Sequence, residues 1–181
     1  LISLNQENSS IISVDNKFNI LSIIKDEQGS NLPENIRLVP AFFSDSVNYY
    51  HIRYGADKLS IFSKNKQSLV KQYQLTANWI RQNKNGTIFK NFDNSFNKYL
   101  ENLFVAENIF KYKSNQFVVF KDGENKCKYL IVQNLDKNKK DSKCFKLDYI
   151  YNLFFTKEFI VIYKYLNDKL SIINLKYSDL I

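Results

Sequence analysis

The side chains that most often carry catalysis are few in this sequence. His51 is the single histidine and lies in an apolar stretch between Tyr50 and Ile52. Nucleophilic triads need a positioned base, and catalytic zinc sites need clustered ligands. One histidine inside a strand-like segment meets neither requirement. We therefore expect His51 to be a packed or surface residue and the protein to be non-enzymatic.

The carboxylates and glycines lead to the same expectation. Asp122 and Glu124 flank Gly123, and Asp26-Glu27 follows an apolar run, so both pairs are typical of solvated turns. The four glycines are isolated, whereas a phosphate-binding loop groups its glycines. We expect no catalytic residue, no cofactor and no metal.

The number of cysteines and the length of the apolar runs indicate where in the cell the protein is located. Cys127 and Cys144 are too few for a disulfide framework, and a hairpin turn between them would not place them opposite each other, so we expect free thiols. Residues 1–15 lack the basic start and unbroken apolar run of a signal peptide. No apolar stretch approaches the ~20 residues of a membrane helix. The sequence predicts an intracellular protein, cytoplasmic or nuclear, with no membrane partner.

The net charge of +8 is concentrated in one segment. Residues 126–146 hold seven lysines and two aspartates, which gives +5 of that total. The tip of a predicted hairpin there reads DKNKKDSK, and its basic side chains are Lys137, Lys139, Lys140 and Lys143. Such a tip is either a solvated loop that discourages edge pairing or a contact for an acidic protein or a phosphate backbone. The chain has 23 Lys against 3 Arg, a bias typical of AT-rich genes, which favours the solvated loop.

Short apolar runs with turn residues between them predict strands through most of the chain. The segment from 49 to 75 has the pattern of a three-strand meander with turns near 55–58 and 64–67. Residues 95–108, SFNKYLENLFVAEN, form the one helix candidate, with apolar residues at helical spacing. We expect this helix to pack on its own sheet or to dock a partner through Phe96, Leu100 and Phe104.

Similar hairpins recur along the chain. Their second strands contain Leu21-Ser22-Ile23, Leu59-Ser60-Ile61, Leu130-Ile131-Val132 and Leu170-Ser171-Ile172. The first and last intervals between these markers are close to the ~40–45 residues of a four-stranded β-propeller blade. In period and strand layout the chain resembles the WD-repeat-like β-propeller superfamily. The Trp-Asp dipeptide is absent, so the resemblance carries over no functional residue.

These observations predict a mainly β chain of antiparallel four-stranded repeats, either a small propeller or part of a larger one. The alternative is a β-sandwich or an α+β domain. We expect a single domain over 1–181, with blade-like units near 1–40, 41–76, 109–148 and 149–181 and an insertion at 77–108. The chain starts at Leu1 and lacks Met, which suggests a fragment of a larger propeller.

The predicted function is a non-enzymatic protein–protein interaction scaffold, a subunit of an intracellular multiprotein complex. The motivation is a repeat-like β architecture without catalytic constellations and with many aromatic side chains to anchor interfaces. Its partners would be other protein subunits. The alternative is a basic nucleic-acid-binding domain of a ribonucleoprotein or of chromatin, acting through the Lys-rich hairpin.

Overall fold

The short apolar runs form antiparallel strands. The computed structural model describes residues 9–26, 41–53, 58–75, 101–136 and 142–181. The chain divides into two compact units, Leu1–Lys98 and Tyr99–Ile181. The described residues are mainly β, as predicted, and the longest helical element among them is a 3₁₀ turn at Tyr177–Asp179.

The first unit contains two antiparallel sheets. The strands are β1 Ser9–Val14, β2 Ile20–Asp26, β3 Ala41–Ser44, β4 Asn48–Ile52, β5 Lys58–Ser63 and β6 Ser68–Gln74. Strands β1 and β2 form a hairpin, and β3 to β6 form a four-stranded sheet in chain order. The three-strand meander predicted over 49–75 is therefore confirmed as β4, β5 and β6.

Side-chain oxygens fix two turns of the first unit. Asp15 accepts hydrogen bonds from the backbone N–H groups of Lys17 and Asn19 at 2.8 and 2.9 Å. The side-chain hydrogen bond from Asn19 is the main reason why the pKa of Asp15 is below its ordinary value. Asp45 holds the β3–β4 turn in the same way and also accepts from the Tyr50 hydroxyl at 2.9 Å. Aspartate commonly supports turns through such local bonds.

The second unit also contains two antiparallel sheets. Its strands are β7 Phe104–Tyr112, β8 Asn115–Asp122, β9 Cys127–Asn134, β10 Lys143–Asp148, β11 Asn152–Phe155, β12 Phe159–Leu166 and β13 Lys169–Lys176. Strands β7 to β10 form a four-stranded sheet in chain order, and β11 to β13 form a three-stranded one, here called the last sheet.

The core of the second unit lies between these two sheets. It contains eight buried residues, namely Phe117, Val119, Leu130, Val132, Ile160, Ile162, Tyr177 and Leu180. Tyr177 stacks on Phe110 and Tyr112, with ring centroids 5.3 and 4.6 Å apart. Such aromatic contacts add to the stabilisation that burial of apolar area provides. The segment after β13 is thereby bound to the four-stranded sheet.

Central strands of both four-stranded sheets are buried on both faces. In β8 the consecutive residues Phe117, Val118, Val119 and Phe120 are 0–1% exposed. Strand β5 has the same character, since Leu59, Ser60, Ile61 and Phe62 are all buried. Because successive side chains of a strand point to opposite faces, burial of consecutive residues means that both faces are covered.

The helix predicted over 95–108 is wrong from Phe104 onward, where the chain forms strand β7. Residues 95–100, with Phe96 and Leu100, lie outside the described residues. Phe104 pairs with Asp122 of β8, and its ring stacks on Phe120 with centroids 4.9 Å apart. Ladder hydrogen bonds and this stacking outweigh a local helical spacing of apolar residues, because propensity is a weak constraint beside tertiary pairing.

Candidate interaction surfaces

His51 and Asp122 are both buried. His51 lies in β4 and is 1% exposed. Asp122 is also 1% exposed, and its two carboxylate oxygens accept from the backbone and side-chain N–H groups of Asn125 at 3.1 and 2.7 Å. The expectation that Asp122 is solvated is therefore wrong. Its carboxylate is buried and accepts the hydrogen bonds that hold the β8–β9 turn.

Both cysteines are free, as expected, and lie on one face of the β9–β10 pair. Burial raises the pKa of the Cys144 thiol to about 11, and the nearby Cys127 contributes to the same shift. A hydrogen bond with Cys127, followed by burial, raises the pKa of Tyr129 between them to about 12. The Cys144 thiol is therefore neutral at physiological pH, whereas a reactive cysteine needs a lowered pKa.

The Lys-rich hairpin is described only in part. Lys137, Lys139 and Lys140 lie outside the described residues. Lys143 is exposed at the start of β10, opposite Val132. Lys146 is also exposed, but three positions further along the strand its side chain points to the other face. The lysines of β10 therefore do not form one continuous stripe.

A second lysine cluster surrounds one ring in the second unit. The Nζ atoms of Lys121, Lys126 and Lys128 lie 5.3, 5.9 and 5.9 Å from the centroid of the Tyr149 ring. Lys121 and Lys128 are direct partners across the β8–β9 pair. Like charges at such positions repel, and the electron-rich face of a tyrosine partly offsets the repulsion.

Lys128 of this cluster is buried, with 6% exposure. Its Nζ atom lies 2.9 Å from a carboxylate oxygen of Glu107 and donates to Oδ1 of Asn152 at 3.4 Å. A buried cation needs such partners, because desolvation of an unpaired charge is costly. The sequence reasoning missed this cluster, although equal spacing of Lys121 and Lys128 from the turn would have indicated the pair.

The most exposed apolar surface of the second unit lies on the last sheet. Register places seven apolar or aromatic residues on the face that points away from the core, here called the outer face: Phe154, Phe159, Val161, Tyr163, Tyr165, Leu170 and Ile172. Of these, Val161 is buried. Tyr165, Leu170 and Ile172 are 65%, 58% and 57% exposed. Single exposed apolar residues are ordinary, but a contiguous group marks an interaction site.

The outer face was not predicted as a surface. In the sequence, Leu170-Ser171-Ile172 was identified only as a marker of a recurring hairpin. Strand β12 is central and buried at residues 160–162, but β13 lies at the edge of the last sheet and is mostly exposed. Sequence pattern shows that a strand is apolar on both faces, whereas its neighbours decide whether those faces are covered.

Comparisons with known proteins add no homologue. No family model, no curated protein and no solved structure matches the chain. The described residues hold no group of three or more His, Cys, Asp or Glu side chains arranged to bind a metal ion. In the same part of the chain, no helix has the length and apolar character needed to cross a membrane.

Proposed function

We propose that the chain is a non-enzymatic scaffold that binds other protein subunits in a multiprotein assembly. The outer face of the last sheet carries this proposal. Its exposed side chains include Tyr165 and Phe154, and Tyr163 on the same face is half-buried. Aromatic residues are enriched at the buried centres of protein interfaces. Phe154 and Tyr163 already contact each other edge to face, with ring centroids 6.1 Å apart. A partner would therefore contact aromatic side chains that already pack against each other.

We propose further that the four-stranded meanders are blades of a β-propeller. Two four-stranded sheets follow the chain order, β3 to β6 and β7 to β10. Their central strands β5 and β8 are buried on both faces. In a two-layer sandwich the outward face of each sheet is solvated, whereas stacked sheets cover both faces of every inner sheet. Burial on both faces therefore favours stacking over the sandwich alternative.

The scaffold function is tested by co-purification from the cells in which the protein occurs. Tyr165 and Leu170 are direct cross-strand partners on the outer face, and both are exposed. We expect the wild-type chain to co-purify with another subunit at fixed stoichiometry, and the Tyr165→Ser/Leu170→Ser variant to lose it. The matched control is Leu69→Ser/Val70→Ser, since these residues of β6 are 47% and 58% exposed.

The control should retain the partner. Partners that are unchanged in the outer-face variant would contradict the assignment of this surface. The absence of any stoichiometric subunit would contradict the scaffold function itself.

A second candidate function, nucleic-acid binding, is favoured by the lysine cluster around Tyr149. Amines that neutralise phosphates beside an aromatic ring are a common arrangement in single-strand binding. Lys126 of the cluster and Lys143 of the hairpin are exposed. Glu107 offsets part of the charge, since its carboxylate pairs with Lys128. This function therefore ranks behind the scaffold.

Salt-dependent binding to single-stranded oligonucleotides tests the second candidate. Replacement of Lys121, Lys126 and Lys143 by Gln should weaken binding to all sequences alike. It should also reduce the slope of log affinity against log salt by about 2 to 3. Equal charge removal at Lys17, Lys58 and Lys66 is the matched control. An affinity that is the same in both triple variants would overturn this function.

A further inference from the structure

We infer that β13 is the edge through which two copies of this chain join, by antiparallel pairing of β13 with itself across a two-fold axis at Ile172. The inference rests on the proposed scaffold function, because it names a partner for the same sheet. The product is one continuous six-stranded sheet with the two outer faces side by side.

The first argument is the free edge. Within the described residues, β13 pairs with β12 alone, and the last sheet has three strands where the other complete meanders have four. Strand β13 is eight residues long, with Leu170, Ile172 and Ile173 each at least 50% exposed. A long, exposed, apolar edge strand is a template for another strand.

The second argument is the direction of the backbone groups. Asn167 and Asp168 have φ values of 50° and 59°, which is the two-residue type I′ turn, and Leu166 pairs with Lys169. This closing pair exchanges both hydrogen bonds, so odd-numbered residues of β13 bond to β12. The N–H and C=O groups of the even-numbered residues Leu170, Ile172 and Asn174 therefore point to the open edge.

The third argument is the register that these groups allow. Antiparallel bonds form only between residues whose groups face each other, so even-numbered residues must pair with even-numbered ones. An axis at Ile172 pairs Ile172 with itself and Leu170 with Asn174 of the second copy. This register spans residues 169–175 of the strand, and all outward groups of these three residues are then bonded.

The fourth argument is charge. The same register places Asp168 opposite Lys176 of the second copy at both ends of the pairing. Lys169 lies opposite Leu175, where its aliphatic stem can cover apolar surface. An axis at Ile173 would also pair even-numbered residues, but it would oppose Lys176 to Leu170 and lose the contact between Asp168 and Lys176. Charge therefore favours the axis at Ile172 over the axis at Ile173.

The first test is the mass of the 181-residue chain by sedimentation and light scattering across a range of concentrations. We expect a species of twice the chain mass of 21.4 kDa. Ile172→Pro removes the N–H at the two-fold axis but leaves the bonds to β12, and proline is tolerated on edge strands. It should raise the dissociation constant at least about 30-fold, because the central pair loses both donors. Ile172→Thr keeps the donor and should dimerise more strongly than the proline variant.

The second test determines which residues of β13 lie opposite each other in the two copies. It does not require the proline variant to fold. Residues in a bonded antiparallel pair have Cα atoms about 5.5 Å apart, which is within disulfide range. Ile172→Cys should therefore cross-link to its copy under mild oxidation. In Ile173→Cys the two thiols belong to residues offset by two positions, about 8 Å apart, and should not cross-link. The wild-type chain controls for Cys127 and Cys144.

A monomer at all concentrations, or equal cross-linking at positions 172 and 173, would overturn the inference. The outcome is distinguishable from failure of the scaffold function. A monomer that still co-purifies with a different subunit through the outer face would overturn self-pairing and leave the scaffold. A dimer that co-purifies with nothing else would support self-pairing and contradict a wider assembly.

Discussion

The phenolic hydroxyl of Tyr177 donates a hydrogen bond to the carbonyl oxygen of Thr156 at 2.6 Å. Tyr177 follows the last strand and Thr156 lies in the β11–β12 turn, so the bond ties the segment after β13 to that turn of the same sheet. The Tyr177 ring is 1% exposed and packs against the four-stranded sheet. One residue therefore couples the last sheet to its neighbour.

We expect Tyr177→Phe to lower the free energy of unfolding by about 1–2 kcal/mol, since a partly buried hydrogen bond is lost while the ring packing remains. Urea unfolding followed by circular dichroism measures the change. Tyr165→Phe is the matched control, because the Tyr165 hydroxyl donates to Asp168 at 3.2 Å in solvent and should contribute less than about 0.5 kcal/mol. Equal effects in the two variants would contradict the role of the Thr156 bond.

Lys128 and Glu107 offer a test of the buried charge. Lys128→Met keeps the aliphatic stem and removes the amine, so it should destabilise the second unit by about 1–3 kcal/mol. Lys126→Met at the same Tyr149 ring is the control, because Lys126 is exposed. A double-mutant cycle with Glu107→Gln isolates the pair. A coupling energy near zero would show that the 2.9 Å contact is not a stabilising ion pair.

Gly123 permits a close backbone approach. A Cβ atom added at this position would overlap the carbonyl group of Glu101 and touch the Cα atom of Asn102 at 3.0 Å. Its N–H donates to the carbonyl oxygen of Leu103 at 3.1 Å. We expect Gly123→Ala to cost about 1–3 kcal/mol through overpacking. The control is Glu158→Ala, at an exposed turn position, which should change the free energy of unfolding by less than about 0.5 kcal/mol. A similar loss of stability in the two variants would contradict overpacking at Gly123.

We expect the free energy of unfolding of the second unit to decrease at alkaline pH, and to do so below the pH at which the tyrosines of the folded chain ionise. Cys144 has a pKa of about 11 in the folded chain against 9.0 as its ordinary value. Between these values the unfolded chain has lost the proton and the folded chain retains it, so the free energy of unfolding decreases as pH rises. The raised pKa values of Tyr129 and Tyr177 act in the same direction at higher pH.

Urea unfolding at pH 8, 9.5 and 10.5 measures this loss of stability. Cys144→Ser removes the thiol and should flatten the curve between pH 9.5 and 10.5. If the variant and the wild-type chain showed the same pH dependence, burial of the Cys144 thiol would not be its source.

Local sequence was enough to predict the strands and several turns. Alternating and short apolar runs predicted the mainly β class, and β4, β5 and β6 lie where the pattern predicted a meander. Free cysteines followed from their number and spacing. These features depend on residues that are near one another in the chain, so they can be inferred before any tertiary contact is known.

Tertiary structure decided the rest. The apolar spacing at Phe104 suits a helix as well as a strand, and pairing with Asp122 at the far end of β8 selects the strand. The lysines around Tyr149 meet only because β8, β9 and the turn after β10 converge. Strands β8 and β13 are both apolar on two faces, yet one is buried and the other exposed. Sequence sets what a strand can bury, and the neighbours supplied by the fold determine what it does bury.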